Sequence, residues 1–311
     1  MNGAQTARDE ARDALHTYIS RSGLSYRDVA TRMGYSAFSI RQFSSGARYG
    51  DGDGGCIASA VMTFIRENPA PMPGLPGKLY ETECSRAIDS ILAYVARGRW
   101  GKLYGPAGAQ KSFVLKYRAA EAATDAEPRV IWIECSPALT PTAFLRRVAA
   151  ALGAPWAQYK EGILQSVLFT LRRRKSPVAM AVDEAQHLYR AVDTLETVRD
   201  LGDKSDEKAG VLIAGNEQVL ELLSPRRGIY FEQWRSRVEQ KTVRVLGLNR
   251  DEAHDIVRQE LGELKRETVA ELVGKTVTDP ETHREYVSAR RLFNAIRSFR
   301  EKRVNGNAKV H

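Results

Sequence analysis

The chain has 311 residues, 43% of them apolar, with 47 Lys and Arg against 38 Asp and Glu and a net charge of +9. This length allows two or three domains with ordinary cores, and the charge favours an anionic partner, nucleic acid first. Three widely separated cysteines (Cys56, Cys84, Cys135) argue against a disulfide framework and a zinc site, and the absence of a run of about eighteen apolar residues argues against a membrane span.

Residues 1–67 read as a small helical domain. Ala11, Leu15, Tyr18 and Ile19 form one helical stripe. Ser25 caps a short helix over 26–33 that Gly34 ends, and Ser36 opens another over 37–43 with Ile40 and Phe43 inward. Helix, glycine turn, helix at this length is the helix-turn-helix pattern. The outer face of its second helix carries Ala37, Phe38, Arg41 and Gln42, and Arg41 and Gln42 suit base edges in a major groove. Arg27, Arg32 and Arg48 suit phosphates. The competing reading is a three-helix packing module with solvated arginines, since residues 1–70 carry eight Arg against seven acids. After a Gly- and Asp-rich loop at 48–55, Ala58, Val61, Met62 and Ile65 mark a closing helix.

Residues 68–79 are expected to be a linker, because four prolines and two glycines in 68–77 forbid helix or central strand. An α/β core is expected over 80–247. Ala87, Ile88, Ile91, Leu92 and Val95 stripe a helix, and the stretch 100–117 then reads strand, loop, helix. Its centre, Gly105-Pro-Ala-Gly108-Ala-Gln110-Lys111-Ser112, matches a phosphate-binding loop, whose backbone N–H groups and helix N-terminus converge on phosphate. Lys111 would reach the β- and γ-phosphates, and the Ser112 hydroxyl would ligate Mg²⁺. The pattern asks for glycine at 110. The side chain of Gln110 is expected to crowd the phosphates and slow hydrolysis.

Val130–Ile133 reads as a buried strand, and 141–152 and 162–174 as helices. The second helix ends in Arg172-Arg173-Arg174-Lys175, a solvated helix end or, as the minority reading, a DNA contact. Residues 178–184 read as an apolar strand ending in two carboxylates. Asp183 would hold Mg²⁺ through water, and Glu184 would orient or deprotonate the attacking water. A helix over 192–201 and a polar loop over 202–208 lead to the strand 210–215. Asn216 ends that strand, either as a polar contact to the γ-phosphate and the water or as an ordinary helix cap. Arg226, Arg227, Arg235 and Arg237 follow, and Arg237, with Arg235 as its rival, is the candidate arginine finger. Residues 248–311 read as a helical lid with a basic tail, with helices over 251–261, 267–273 and 289–300. Arg291 or Arg290 would fold back over the nucleotide, and eight Lys or Arg against two acids over 284–311 make an electrostatic footprint for DNA. The fold class expected is α/β: a P-loop doubly wound parallel sheet with a C-terminal helical lid, preceded by a small all-α helix-turn-helix domain.

Over roughly 82–303 the chain resembles the AAA+ ATPases, through Gly105–Ser112, Ala181–Glu184, Asn216, Arg237 and Ser288-Ala-Arg-Arg-Leu292. Asp183-Glu-Ala-Gln-His-Leu188 is similar to the version found in transposition ATPases. With Gly23-Leu-Ser-Tyr-Arg-Asp-Val-Ala30 and Ser39-Ile-Arg-Gln-Phe43 added, the chain resembles the transposition-protein-B type of phage Mu. The resemblance implies ATP and Mg²⁺ as cofactors, with Gly105, Gly108, Gln110, Lys111, Ser112 and Arg291 on the nucleotide, and Ser112 and Asp183 on the metal. Glu184, Asn216 and Arg237 would be catalytic. It implies homo-oligomers, filament or ring, assembled with ATP on double-stranded DNA, which they deliver to a transposase and thereby activate it. The location implied is the cytoplasm of a bacterial host, for a phage or mobile-element protein. Two other readings stay open: a helicase-loader-type AAA+ ATPase, and a DNA-binding regulator that uses ATP as a structural ligand.

Overall fold

The computed structural model describes residues 2–22, 25–46, 53–67, 78–123, 129–155, 157–222, 232–238 and 240–307. The chain opens with four helices: α1 (Asn2–Ser22), α2 (Tyr26–Met33), α3 (Ala37–Ser44) and α4 (Asp53–Glu67). The caps lie where the sequence places them. Ser25 and Asp28 form a reciprocal capping box on α2, Gly34 ends that helix at φ +74°, and Ser36 caps α3 through the Ser39 N–H. Leu15, Val29, Ile40, Phe43 and Val61 close a small core between the helices. A buried polar group lies beside it. Tyr26 donates its hydroxyl to Nδ1 of His16 (2.8 Å), and Nε2 of His16 donates to the Ser44 carbonyl (3.2 Å). Helix α4 begins at Asp53, inside the stretch expected to be loop.

The next unit is a sheet with helices on both faces. Its elements are α5 (Glu83–Val95), β1 (Trp100–Tyr104), α6 (Lys111–Ala122), β2 (Val130–Glu134), α7 (Pro141–Leu152), α8 (Lys160–Arg172), β3 (Val178–Asp183), a 3₁₀ turn (Ala185–Tyr189), α9 (Val192–Lys204), β4 (Ala209–Gly215), α10 (Gln218–Leu222), α11 (Glu232–Val238) and β5 (Thr242–Arg244). The strands run in the order β2-β3-β4-β1-β5, all parallel. Every residue of β3 and β4 is buried, as continuous apolar strands in a covered parallel sheet must be. One core, around Phe144, Leu168, Val182 and Trp234, fills the α7–α9 face, and the other, around Ile88, Ile91, Val114 and Leu115, fills the α5–α6 face. The order reverses between β1 and β4, so β1, β3 and β4 end together at the switch point where such sheets hold ligands.

A lid follows: α12 (Arg250–Leu261), α13 (Arg266–Val273), the hairpin β6 (Val277–Thr278) and β7 (Glu285–Tyr286), and α14 (Ala289–Asn307). Leu248, Ile256, Val287, Leu292 and Ile296 form its core, and Tyr80 joins it. The fold is the P-loop AAA+ arrangement, with a helical lid after the sheet and an all-α region before it. Strand β5 and the β6–β7 hairpin are additions to the sequence reading. Helix α9 also runs on to Lys204, into the stretch expected as a polar loop.

The basic end of α8 is used internally. Arg172 donates to Asp206 (2.8 Å) and to the Lys204 carbonyl (3.2 Å), Arg174 is buried, and Arg173 stacks over the Phe169 ring. The minority reading of this run as a DNA contact therefore loses Arg174, which is buried, while Arg172 stays half exposed in its ion pair.

Candidate nucleotide site

The loop after β1 is shaped by close approach. A Cβ on Gly105 would lie 1.8 Å from the Val245 carbonyl oxygen. Gly108 has φ +86°, and a Cβ there would lie 2.4 Å from Oγ of Ser288. The Gly108 carbonyl accepts from the Ala289 N–H (3.1 Å), so the loop touches the first residue of α14. Beneath the loop, the Cys84 thiol donates to the Ala109 carbonyl (2.7 Å), and burial pushes that thiol up to about 12.

Lys111 opens α6 and is buried. Its Nζ donates to the carbonyls of Gly105 (2.8 Å) and Pro106 (2.9 Å). Burial lowers its pKa and the nearby Asp183 pulls it back up. Among the described residues these carbonyl bonds leave the ammonium charge without a contacting counter-ion at a helix N-terminus, which suits an arriving anion. Gln110 precedes it at φ +65°, ψ 1°, a left-handed conformation that costs a non-glycine residue about 1 kcal/mol.

Asp183 ends β3, 1% exposed. It accepts from the Ser112 hydroxyl, from Nε1 of Trp132 (3.1 Å) and from the Glu184 N–H (2.9 Å). Burial raises its pKa, and these three donors oppose the rise. Glu184 takes φ +53° and accepts from Nε2 of Gln186. Oε1 of Gln186 in turn accepts from the Asn216 N–H (3.4 Å). Asn216 caps α10 by accepting the Gln218 N–H (2.9 Å), and it also lines the cavity described next. Both readings of Asn216 therefore have a place, because a carboxamide can accept on one side and donate on the other.

Lys111, Ser112, Glu184 and Asn216 border a cavity of about 880 Å³ between the loop and the lid. Its floor is residues 107–113, Glu184 and Asn216. Its far wall is Lys78, Tyr80, Phe293, Ile296, Arg297 and Arg300. Arg290 lines it and Arg291 does not. Arg291 instead donates to the carbonyls of Val273 (2.7 Å) and Lys275, on the side of α14 packed against α13. Of the two lid arginines the sequence offers, Arg290 is thus the one at the cavity, and Arg291, the residue assigned to the nucleotide, packs away from it. The donor set also fits a hard divalent cation: the Ser112 hydroxyl and the Asp183 carboxylate already touch, and both are oxygen ligands of the kind Mg²⁺ takes.

The remaining candidates lie elsewhere. Arg237 sits at the opposite end of the sheet, over the ring of Trp100 (5.7 Å), the first residue of β1, and bonds Asp203 on α9 (2.9 and 3.0 Å). Arg235 is half-buried on the same helix, and Arg226 and Arg227 lie outside the described residues. Arg27 is exposed. Arg41 and Gln42 line a second cavity, of about 800 Å³, whose other wall is Arg146, Gly153 and Gln158 on and after α7. The outer face of α3 thus looks towards the α/β core across a groove, with Phe38 74% exposed. Arg48 and the side chain of Arg32 lie outside the described residues. Trp132, Gln186 and Cys84 are the site residues to which sequence reasoning gave no role. Only Gln186 left a signal, as part of Asp183-Glu-Ala-Gln.

Residues 96–223 match the family model described as AAA domain. The matched stretch covers β1, the phosphate loop, Asp183, Glu184 and Asn216. Among solved structures, the chain is similar to Cdc6p from Pyrobaculum aerophilum, with 18% identity and a TM-score of 0.50, over 76% of this chain and 65% of that one. It is also similar to AMPPCP-bound DnaA from Aquifex aeolicus (16% identity, TM-score 0.48, 72% and 64%). A third similar structure is the Orc1 protein of Aeropyrum pernix in complex with DNA (17%, 0.47, 75% and 63%). The chain spans less than two thirds of the length of each of these proteins. No curated protein matches the chain. Among the described residues no helix is long and apolar enough to cross a membrane.

Proposed function

We propose that this AAA+ module binds and hydrolyses ATP and uses the nucleotide to assemble on double-stranded DNA. The observation that carries the reading is the cavity itself. A loop of phosphate-binding shape, a buried lysine bonded only to carbonyls, a Ser–Asp pair and a carboxylate tied to Asn216 through Gln186 all meet at one sheet end. In this reading loop N–H groups and Lys111 hold the phosphates, and Arg290 closes from the lid. Ser112 and Asp183 would hold Mg²⁺, which when bound neutralises charge on the phosphates. Glu184, kept in place by Gln186, takes the proton of the attacking water, and Asn216 orients that water. DNA contact is assigned to the basic lid and to Arg27, Arg41, Gln42 and Arg48 of the helix-turn-helix region.

Two downstream roles follow, a loader-type ATPase and an activator of a transposase. The fold likeness to Cdc6p favours the loader-type role, and the transposase role rests on the sequence resemblance alone. The test is a DNA-binding titration with and without ATP at two salt concentrations. Binding is expected only with ATP and to weaken steeply with salt, as counterion release requires. Salt-independent or ATP-independent binding would overturn the reading. Stimulation of a replicative helicase's loading or of a neighbouring transposase then separates the two roles.

A further inference from the structure

The residue that breaks the phosphate-loop pattern, Gln110, is also the least satisfied one in the cavity wall. Its backbone holds a left-handed conformation that glycine adopts freely and glutamine does not. Its Nε2 is shut off from solvent and has no hydrogen-bond partner among the described residues. The polar groups beside it are satisfied: Lys111 by two carbonyls, Ser112 by Asp183, and the Gly108 carbonyl by Ala289. Gln110 nevertheless forms part of the cavity wall between Gly108 and Lys111. Backbone strain held at such a place points from an observed outlier to a function, and a buried amide donor is rarely left unpaired without one.

We propose that the Gln110 carboxamide is a ligand-binding group, donating a hydrogen bond to an oxygen of the nucleotide's phosphate chain. The proposal rests on the nucleotide site assigned above and deepens it. The terminal torsion of glutamine is soft, so the proposal needs the amide nitrogen to turn from its shut-off position and asks no movement of the loop backbone. Gln110 then has the opposite consequence from crowding: the position loses the freedom of glycine and gains a donor to an anion, the stronger class of hydrogen bond.

The test is calorimetric titration of ATP and ADP into the full chain and into Gln110→Gly and Gln110→Glu, with the melting temperature of each free protein. Gln110→Gly relieves the backbone, so its melting temperature should hold or rise while its affinity for both nucleotides falls about tenfold. Gln110→Glu keeps the length but sets a carboxylate against the phosphates, and its affinity should fall further. A role confined to the loop's own structure would move melting temperatures and leave the affinities equal. Equal or tighter binding by Gln110→Gly overturns the proposal. Lys111→Ala in the same series separates it from the underlying reading: if that variant binds ATP like the parent, the nucleotide site itself is misassigned.

Discussion

At the scale of single residues, the site stores unfavourable terms that a ligand can relieve. Lys111 keeps a charge out of water, bonded to two carbonyls and with Asp183 near but not in contact among the described residues. Replacing it by methionine keeps the apolar stem and removes the buried charge. Lys111→Met should therefore leave the free protein as stable as the parent or more so, while ATP affinity falls about 10- to 100-fold, the worth of charge-assisted bonds to phosphate. Thermal melting and a nucleotide titration on the same sample check both halves. Under the proposed mechanism Glu184 makes the opposite case, acting in the chemical step and little in binding. Glu184→Gln should bind ATP normally and hydrolyse it about 10²- to 10⁴-fold more slowly, the usual contribution of a general base. Gln186→Ala should lower turnover by less, because it frees Glu184 and the Asn216 N–H from their common tether without removing either. A phosphate-release assay under saturating ATP ranks the three proteins, and parent-like turnover in Glu184→Gln would remove Glu184 from the mechanism.

At the scale of elements, the N-terminal helices carry a pH dependence of their own. Burial depresses the His16 pKa to about 4 from 6.5, and its ring is bonded to Tyr26 and to the Ser44 carbonyl. A depressed histidine contributes stability that is present above its unfolded value and lost as pH falls, because the unfolded chain takes up a proton that the folded one excludes. The helical region should thus be about 2 kcal/mol less stable at pH 5 than at pH 7 from this group. Denaturant titrations at the two pH values should show that difference, and His16→Gln should flatten it. Elements such as α2 and α7 were legible in the sequence because their signals are local. The Ser25–Asp28 box, Gly34, Thr140 before Pro141 and Gly153 all lie within a few residues of the ends they set. Strand β5 has three residues and the β6–β7 hairpin two a side, too few for any period to show. The hairpin is held by Arg244 against Asp279, a pair 35 residues apart whose meeting only the fold decides. The same division runs through the site. Gly105–Ser112 is contiguous and readable, whereas Trp132 reaches Asp183 through the register of β2 on β3. Arg290 and Arg291 differ by one position, about 100° around the helix, and the packing of α14 on α13 sets which one faces the cavity.

At the scale of the whole molecule, the position of Arg237 decides how many chains a working site needs. Arg237 lies over Trp100, at the start of β1, while the phosphate loop follows Tyr104 at its end. Five strand residues span about 13 Å between their first and last Cα atoms, and Asp203 holds the guanidinium at the far edge. Arg237 therefore acts on a phosphate only if that phosphate belongs to another copy of the chain, presented to this edge of the sheet. Arg237→Ala should then bind ATP with parent affinity as a monomer, since nothing in its own cavity changes. It should lose hydrolysis about 10³-fold or more, the scale of a finger arginine, and with it ordered assembly on DNA. Because removal of the Asp203 partner also disturbs the sheet edge, Asp203→Ala is the control: it breaks the same ion pair, leaves the arginine, and should retain most of the turnover. The decisive measurement is complementation. Lys111→Ala spoils the nucleotide half of a site and Arg237→Ala the finger half, so a mixed interface can hold one intact pair. ATPase activity in the mixture above that of either variant alone places Arg237 in trans. Mixed oligomers that form without any recovery would remove Arg237 from the role and leave Arg235, on the opposite side of the same helix, as the residue to substitute.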